Sequence, residues 1–181
     1  MIFTETRLKG SYTIELELLK DVRGAFARTY CKNEFQQIGH QKGFVQMNQS
    51  FNHRKGTVRG MHYQVPPYGE IKLIRCIKGA VLDVVVDLRK GSETFLESIQ
   101  VELSESNHQM IYIPEGFAHG FQTLTDDAQL VYSHTEFYAP QAEAGLNYQD
   151  PMLKLEWPLD VSVISEKDQQ YPFLEPNFQG I

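Results

Sequence analysis

The chain has 181 residues, enough to bury a substantial core in one domain without covalent staples. Its 41% apolar and 12% aromatic content is that of an ordinary globular protein. A net charge of −6 removes any bulk electrostatic reason to expect nucleic acid or an anionic membrane surface, although a local Arg/Lys cluster can still meet a small anion. Cys31 and Cys76 are too few for a disulfide framework and form no C-x-x-C pair, so both read as reduced, partly buried hydrophobes.

In chain order, MIFTETRLKG lacks the apolar core of a signal peptide. SYTIELELL (11–19) alternates apolar and polar residues and predicts one half-buried strand. KNEFQQIG (32–39) predicts a short helix. Strands are then expected at 44–51, 57–64, 71–79, 80–88, 97–103, 109–113, 120–124 and 128–137, separated by Gly-, Pro- and Asp-containing turns. The longest apolar run, AVLDVVVDL, is broken by Asp83 and Asp87 and cannot span a bilayer, so the chain reads as cytoplasmic. A second helix is expected from Ser165, where SEKD has a capping-box pattern, and 171–181 is a tail, packed or frayed. Many short strands and few helices point to a mainly all-β, closed or double-sheet architecture over residues 1–181.

Two stretches carry chemistry. GMHYQ is followed by Lys72 and Gly79, and IPEGFAHGF sets Pro114, Gly116 and His119 at P-x-G-x-x-H spacing. Together they resemble the two signature motifs of the cupin superfamily, which implies a double-stranded β-helix or jelly roll. Metal-binding cupins use His-x-His, Glu and a later His. Here only His62 and His119 remain; Gln64 and Lys72 stand at the other two positions. An ammonium has no lone pair to donate and an amide is a poor ligand for Zn²⁺ or Fe²⁺, so no metal is expected there.

VRGMHYQ, KLIRCIKG, VVVDLRKGS, IPEGFAHGF, the tyrosine of LVYSHTEFY, EWP and SEKD resemble, in the same order from about Leu18 to Asp168, the dTDP-4-dehydrorhamnose 3,5-epimerase family. The resemblance implies a cofactor-free homodimer acting on a dTDP-4-keto-6-deoxy sugar, on the way to dTDP-L-rhamnose. Removing a proton at C3 or C5, beside the C4 ketone, gives an enolate. That chemistry needs a base on one face, a positive donor at O4 and an acid on the opposite face. By resemblance His62 is the base, Asp168 orients it, Lys72 holds the oxyanion and Tyr132 returns the proton. Arg23 and Arg59 match diphosphate contacts, where guanidinium forks suit phosphate oxygens. Gln46 and Asn48 match the nucleotide–sugar lining, Tyr138 and Phe26 aromatic positions, and His119 the second motif's histidine.

Each residue has a plainer role available: His62 a satisfied rim histidine, Lys72 a snorkelling side chain, Tyr132 a core aromatic, Asp168 the acid of a capping box, and His119 the residue that shapes the turn after Pro114. Arg23 would simply be a surface charge. Their joint occurrence at family spacing carries the functional reading. Arg59 and His62 have opposite strand parity, so one face can hold both only through a bulge at Gly60, or with Arg59 acting from the rim. Arg28 departs from the family, standing where a glutamate near the nucleotide is common; Ala25, Ala27 and Tyr148 replace bulkier aromatics. These departures leave open a 3-monoepimerase acting on another 4-keto sugar nucleotide. A metallo-cupin isomerase or oxygenase and a non-catalytic sugar-nucleotide-binding cupin are the remaining alternatives.

Overall fold

Period-two alternation places apolar side chains on one side of each strand, and two such sheets bury them by facing one another. The computed structural model describes residues 1–181. Its elements are β1 (Ile2–Glu5), β2 (Tyr12–Glu15), β3 (Leu19–Asp21), β4 (Gly24–Phe26), α1 (Lys32–Phe35) running into a 3₁₀ turn (Gln36–Ile38), β5 (Gln46–Asn52), β6 (Val58–Gln64), β7 (Lys72–Lys78), β8 (Ala80–Asp87), β9 (Ser98–Ser104), β10 (Gln109–Ile113), β11 (Phe117–Thr123), β12 (Ala128–His134), β13 (Glu143–Gly145) and α2 (Glu166–Gln170).

One sheet runs β1-β2-β10-β7-β12-β5 and the other β13-β6-β11-β8-β9, with antiparallel pairing throughout. β3 and β4 pair only with each other. The inner faces meet in a core containing Ile74, Val81, Val85, Ile111, Phe121 and Leu130. On the outer side of the five-stranded sheet, Met61, Val84, Val86 and Leu88 pack under Leu146, Leu153, Trp157, Leu174, Phe178 and Ile181. β8 is thus buried on both faces, which is why AVLDVVVDL reads as a nearly unbroken apolar run. The tail after residue 171 is packed: Leu174, Phe178 and Ile181 belong to this layer, and the Ile181 amide donates to Leu88 O at 2.8 Å. No helix is long and apolar enough to cross a membrane.

Two expectations are corrected. SYTIELELL is not one strand, because both neighbours of β2 run out at Glu15, which is the last residue paired with Ile2 and with Gln109. Beyond it no strand remains to accept the backbone hydrogen bonds. The strand after Pro114 begins earlier than 120, at Phe117 opposite Asp87, so His119 lies within β11 rather than in the turn before it.

Candidate active site

A pocket of about 250 Å³ opens between the two sheets, lined by Asn48, Ser50, Lys72, Tyr132 and His134 from one and Arg59, His62, His119 and Phe121 from the other. Arg59 and His62 reach it together because β6 carries a bulge. His119 pairs with His62 and Phe121 with Arg59, so three steps along β6 face two along β11. Gly60 permits this with φ +120°; a Cβ there would lie 2.5 Å from Gly120 Cα and 2.8 Å from His119 O. Gly120 is constrained in return, since its own Cβ would meet Arg59 O at 2.8 Å. The extra residue re-aims one side chain, which resolves the parity conflict in favour of the bulge.

Asp168 arrives from α2. Ser165 caps this short helix, its Oγ accepting the Asp168 N–H at 3.0 Å. A complete capping box would turn the acid back towards Ser165. Instead the carboxylate leaves the helix: Oδ1 accepts from His62 Nε2 at 2.8 Å and Oδ2 from the Gly60 N–H at 3.1 Å. Burial alone would raise the Asp168 carboxyl, but the His62, Gly60 and Ser165 hydrogen bonds outweigh it and hold the group below its ordinary range. A carboxylate can only accept, so His62 donates Nε2–H and Nδ1 keeps the lone pair. The ring edge of Tyr171 packs against His62 at a centroid distance of 5.8 Å.

On the other wall, the Tyr132 hydroxyl pairs with Ser50 Oγ at 2.9 Å. Burial pushes the Tyr132 phenol well above its ordinary range and favours the protonated hydroxyl. The Lys72 ammonium donates to His62 O at 3.4 Å and pairs with Glu70 at 3.2 Å. His119 donates to Asp83 at 2.8 Å in the core. Burial lowers the imidazole and raises the carboxyl of this pair, each shift partly offset by the partner's charge. His134 donates to Glu70 at 2.7 Å. Burial opposes ionisation of Glu70, but His134 and Lys72 prevail and keep it below its usual range. Each imidazole lining the pocket is therefore backed by its own carboxylate, and no cluster of three or more His, Cys, Asp or Glu side chains is arranged to hold a metal ion.

The expected binding residues divide. Asn48, Arg59 and His119 line the pocket; Arg59 Nε donates to Asn52 Oδ1 at 2.7 Å. Gln46 and Tyr138 stand outside the lining and join it through Asn48: Gln46 donates to Asn48 Oδ1 at 3.3 Å, the Tyr138 N–H donates to Gln46 Oε1 at 3.2 Å and the Tyr138 hydroxyl to Glu143 at 2.7 Å. Arg23, Phe26 and Arg28 are not brought to the pocket of this chain. Arg23 sits on the β3–β4 turn, 86% exposed and paired with Asp21, and Phe26 is 69% exposed on β4. Arg28 pairs with Glu34 at 2.7 Å. Sequence reasoning did not select Glu70, His134, Ser50 or Asp83. Strand parity could have found His134, two residues from Tyr132 on the same strand.

Similarity to known proteins agrees with this geometry. Residues 5–176 match the family model described as dTDP-4-dehydrorhamnose 3,5-epimerase. The protein of that name from Methanothermobacter thermautotrophicus is 42% identical over 179 residues, covering 97% of this chain and 95% of the relative. Among solved structures, the 3,5-epimerase from Legionella pneumophila in complex with dTDP-4-keto-L-rhamnose superposes with a TM-score of 0.90 at 36% identity, covering 95% of this chain and 92% of that one. A 3′-monoepimerase from Streptomyces bikiniensis in complex with dTDP-quinovose gives a TM-score of 0.86 at 35% identity, over 93% and 85% of the two chains. A cupin-like double sheet, a histidine–aspartate pair across one pocket from a partly buried tyrosine, and similarity over nearly the whole length converge, and the chain belongs to the dTDP-4-dehydrorhamnose 3,5-epimerase family.

Proposed function

We propose that this chain inverts C3 and C5 of dTDP-4-keto-6-deoxy-glucose in dTDP-L-rhamnose biosynthesis, by proton abstraction beside the C4 ketone. The observation that carries the reading is the placement of His62 and Tyr132 on opposite sheets across one pocket, with Lys72 lining the same space. His62 Nδ1 takes the proton, and Asp168 stabilises the imidazolium that forms. Lys72 meets the charge developing at O4, and because its side chain is largely buried its ammonium acts more strongly than it would in bulk solvent. Tyr132 delivers a proton to the opposite face, drawing on the hydroxyl it shares with Ser50. Arg59, His119 and Asn48 hold the sugar nucleotide, with Gln46 and Tyr138 towards the base.

A homodimer supports the rest of the binding set. The six-stranded sheet exposes Met47 and Ile77 in a groove of about 530 Å³ and Phe51 further along β5, and the β3–β4 hairpin exposes Leu19, Val22 and Phe26. A second copy covering that face would shield these side chains, and the hairpin's Arg23 and Phe26 would then serve the partner's pocket. Arg28, held by Glu34, is the least direct of the binding assignments. Free Cys31 and Cys76 suit a reducing cytoplasm.

Incubation of the dTDP-4-keto sugar with the enzyme in D₂O tests the reading. Deuterium enters both C3 and C5 if it holds. Label at C3 alone identifies a 3-monoepimerase, and tight binding without label identifies a sugar-nucleotide-binding cupin. Stoichiometric Fe, Mn or Zn in the purified protein, coupled to activity, would instead favour a metallo-cupin.

A further inference from the structure

The pocket contains a second buried ion pair beside the proposed oxyanion donor. Glu70, just ahead of β7, places Oε1 3.2 Å from the Lys72 ammonium and Oε2 2.7 Å from His134 Nδ1. All three side chains are about nine-tenths covered, at 10%, 11% and 10% exposure for Lys72, Glu70 and His134. Because the carboxylate can only accept, His134 donates Nδ1–H and keeps a lone pair on Nε2. That lone pair receives the Asn48 side-chain amide at 3.3 Å. Asn48 Oδ1 accepts from Gln46 at 3.3 Å, and Gln46 Oε1 from the Tyr138 N–H at 3.2 Å. One file of hydrogen bonds therefore runs from the ammonium to the pocket rim.

A carboxylate with both oxygens free would grip an ammonium and compete with the enolate for it. Here one oxygen is committed to His134. The remaining contact with Lys72 is longer than the ~2.7–2.9 Å usual for a charge-assisted bond. The hold orients the ammonium yet leaves it able to turn to a stronger acceptor. We infer that Glu70 and His134 are positioning residues for Lys72: His134 restrains the Glu70 carboxylate so that it aims the ammonium without capturing it, and Asn48 ties that hold to the nucleotide side of the pocket. This assignment rests on Lys72 as the oxyanion donor proposed above.

The test compares His134→Asn, whose amide nitrogen falls near the Nδ1 position, with His134→Gln, whose amide reaches further, alone and in a Glu70→Gln background. Deuterium wash-in at C3 gives kcat and KM, calorimetry gives dTDP affinity, and thermal melting controls for folding. His134→Gln is expected to lower kcat about tenfold to a hundredfold with KM and dTDP affinity nearly unchanged. His134→Asn should recover most of the loss. In the Glu70→Gln background, the two His134 variants should no longer differ, because the carboxylate charge they act through has gone. Equal impairment by Asn and Gln, a loss confined to KM, or losses that simply multiply in the double variants would overturn the inference. Absence of wash-in from the wild type would instead overturn the epimerase reading, so the two failures are separable.

Discussion

The imidazole of His62 and the carboxylate of Asp168 are 106 residues apart in sequence and 2.8 Å apart in space. The contact selects the imidazole tautomer and, in the proposed mechanism, supplies the countercharge for the protonated base. Asp168→Asn can keep the Ser165 cap, which uses the backbone N–H, while losing the charge. We expect kcat to fall about 10³–10⁴-fold with dTDP affinity retained. Wash-in kinetics and calorimetry check this, and a loss of affinity in place of rate would count against the assigned role.

Tyr132 and His62 face each other from different sheets, so their removal should not be equivalent. Tyr132→Phe leaves the base able to take and return protons on its own face. Product epimer should fall by about 10²-fold or more, while C3 exchange falls far less. Following deuterium content and stereochemistry in one sample by NMR separates the two. Equal losses would remove the two-face assignment.

The oxyanion role proposed for Lys72 can be separated from its ion pair with Glu70. Lys72→Met should cost about 10²–10³ in kcat as an oxyanion donor is lost, and it also leaves Glu70 without its buried cation. Adding Glu70→Gln should restore the melting temperature but not the rate. Recovery of rate together with stability would show that Lys72 is structural.

His40 gives the fold a pH dependence independent of the pocket. It is 2% exposed among Phe35, Phe44 and Tyr112, and burial holds its imidazole below the usual value. The unfolded chain therefore takes up a proton first. The resulting stability is complete above about pH 6.5 and declines as the pH falls from there towards the folded value. His40→Asn, whose amide falls near the Nδ1 position, keeps a hydrogen-bonding group near the Tyr112 hydroxyl and does not titrate, so its melting temperature should fall less steeply between about pH 7 and 5. Parallel slopes for the two proteins would contradict this.

The exposed outer face of β5 and β7 predicts assembly. Met47→Glu with Ile77→Lys should convert a dimer to a monomer in sedimentation velocity. If Arg23 and Phe26 serve the neighbouring pocket, activity should fall in step. A dimer unaffected by both charges would place the interface elsewhere.

Much of this was legible in the sequence, for physical reasons. Alternation along 57–64, 71–79 and 128–137 marked the strands found at Val58–Gln64, Lys72–Lys78 and Ala128–His134, and Gly60 between Arg59 and His62 marked the bulge, where a Cβ would collide with Gly120. Asp168 was ambiguous between cap and orienting acid, and it does both: the backbone takes the cap and the side chain takes His62. Glu70 was not legible, because VPPYGE has no period and only the tertiary fold brings it between Lys72 and His134. The length of β2 was misjudged because alternation persists through Leu18 where no neighbouring strand exists to pair with it.

α2 lies far along the chain, after all thirteen strands. A nascent chain emerging as far as Gly145 has every strand and both walls of the pocket, but its base still lacks a partner. Only when residues 165–168 dock on Gly60 and His62 does that base gain its carboxylate. The carboxylate and the Leu174, Phe178 and Ile181 cover of β8 thus both arrive late in synthesis, and a product truncated before Ser165 would lack the partner of His62 together with part of the layer that buries the five-stranded sheet.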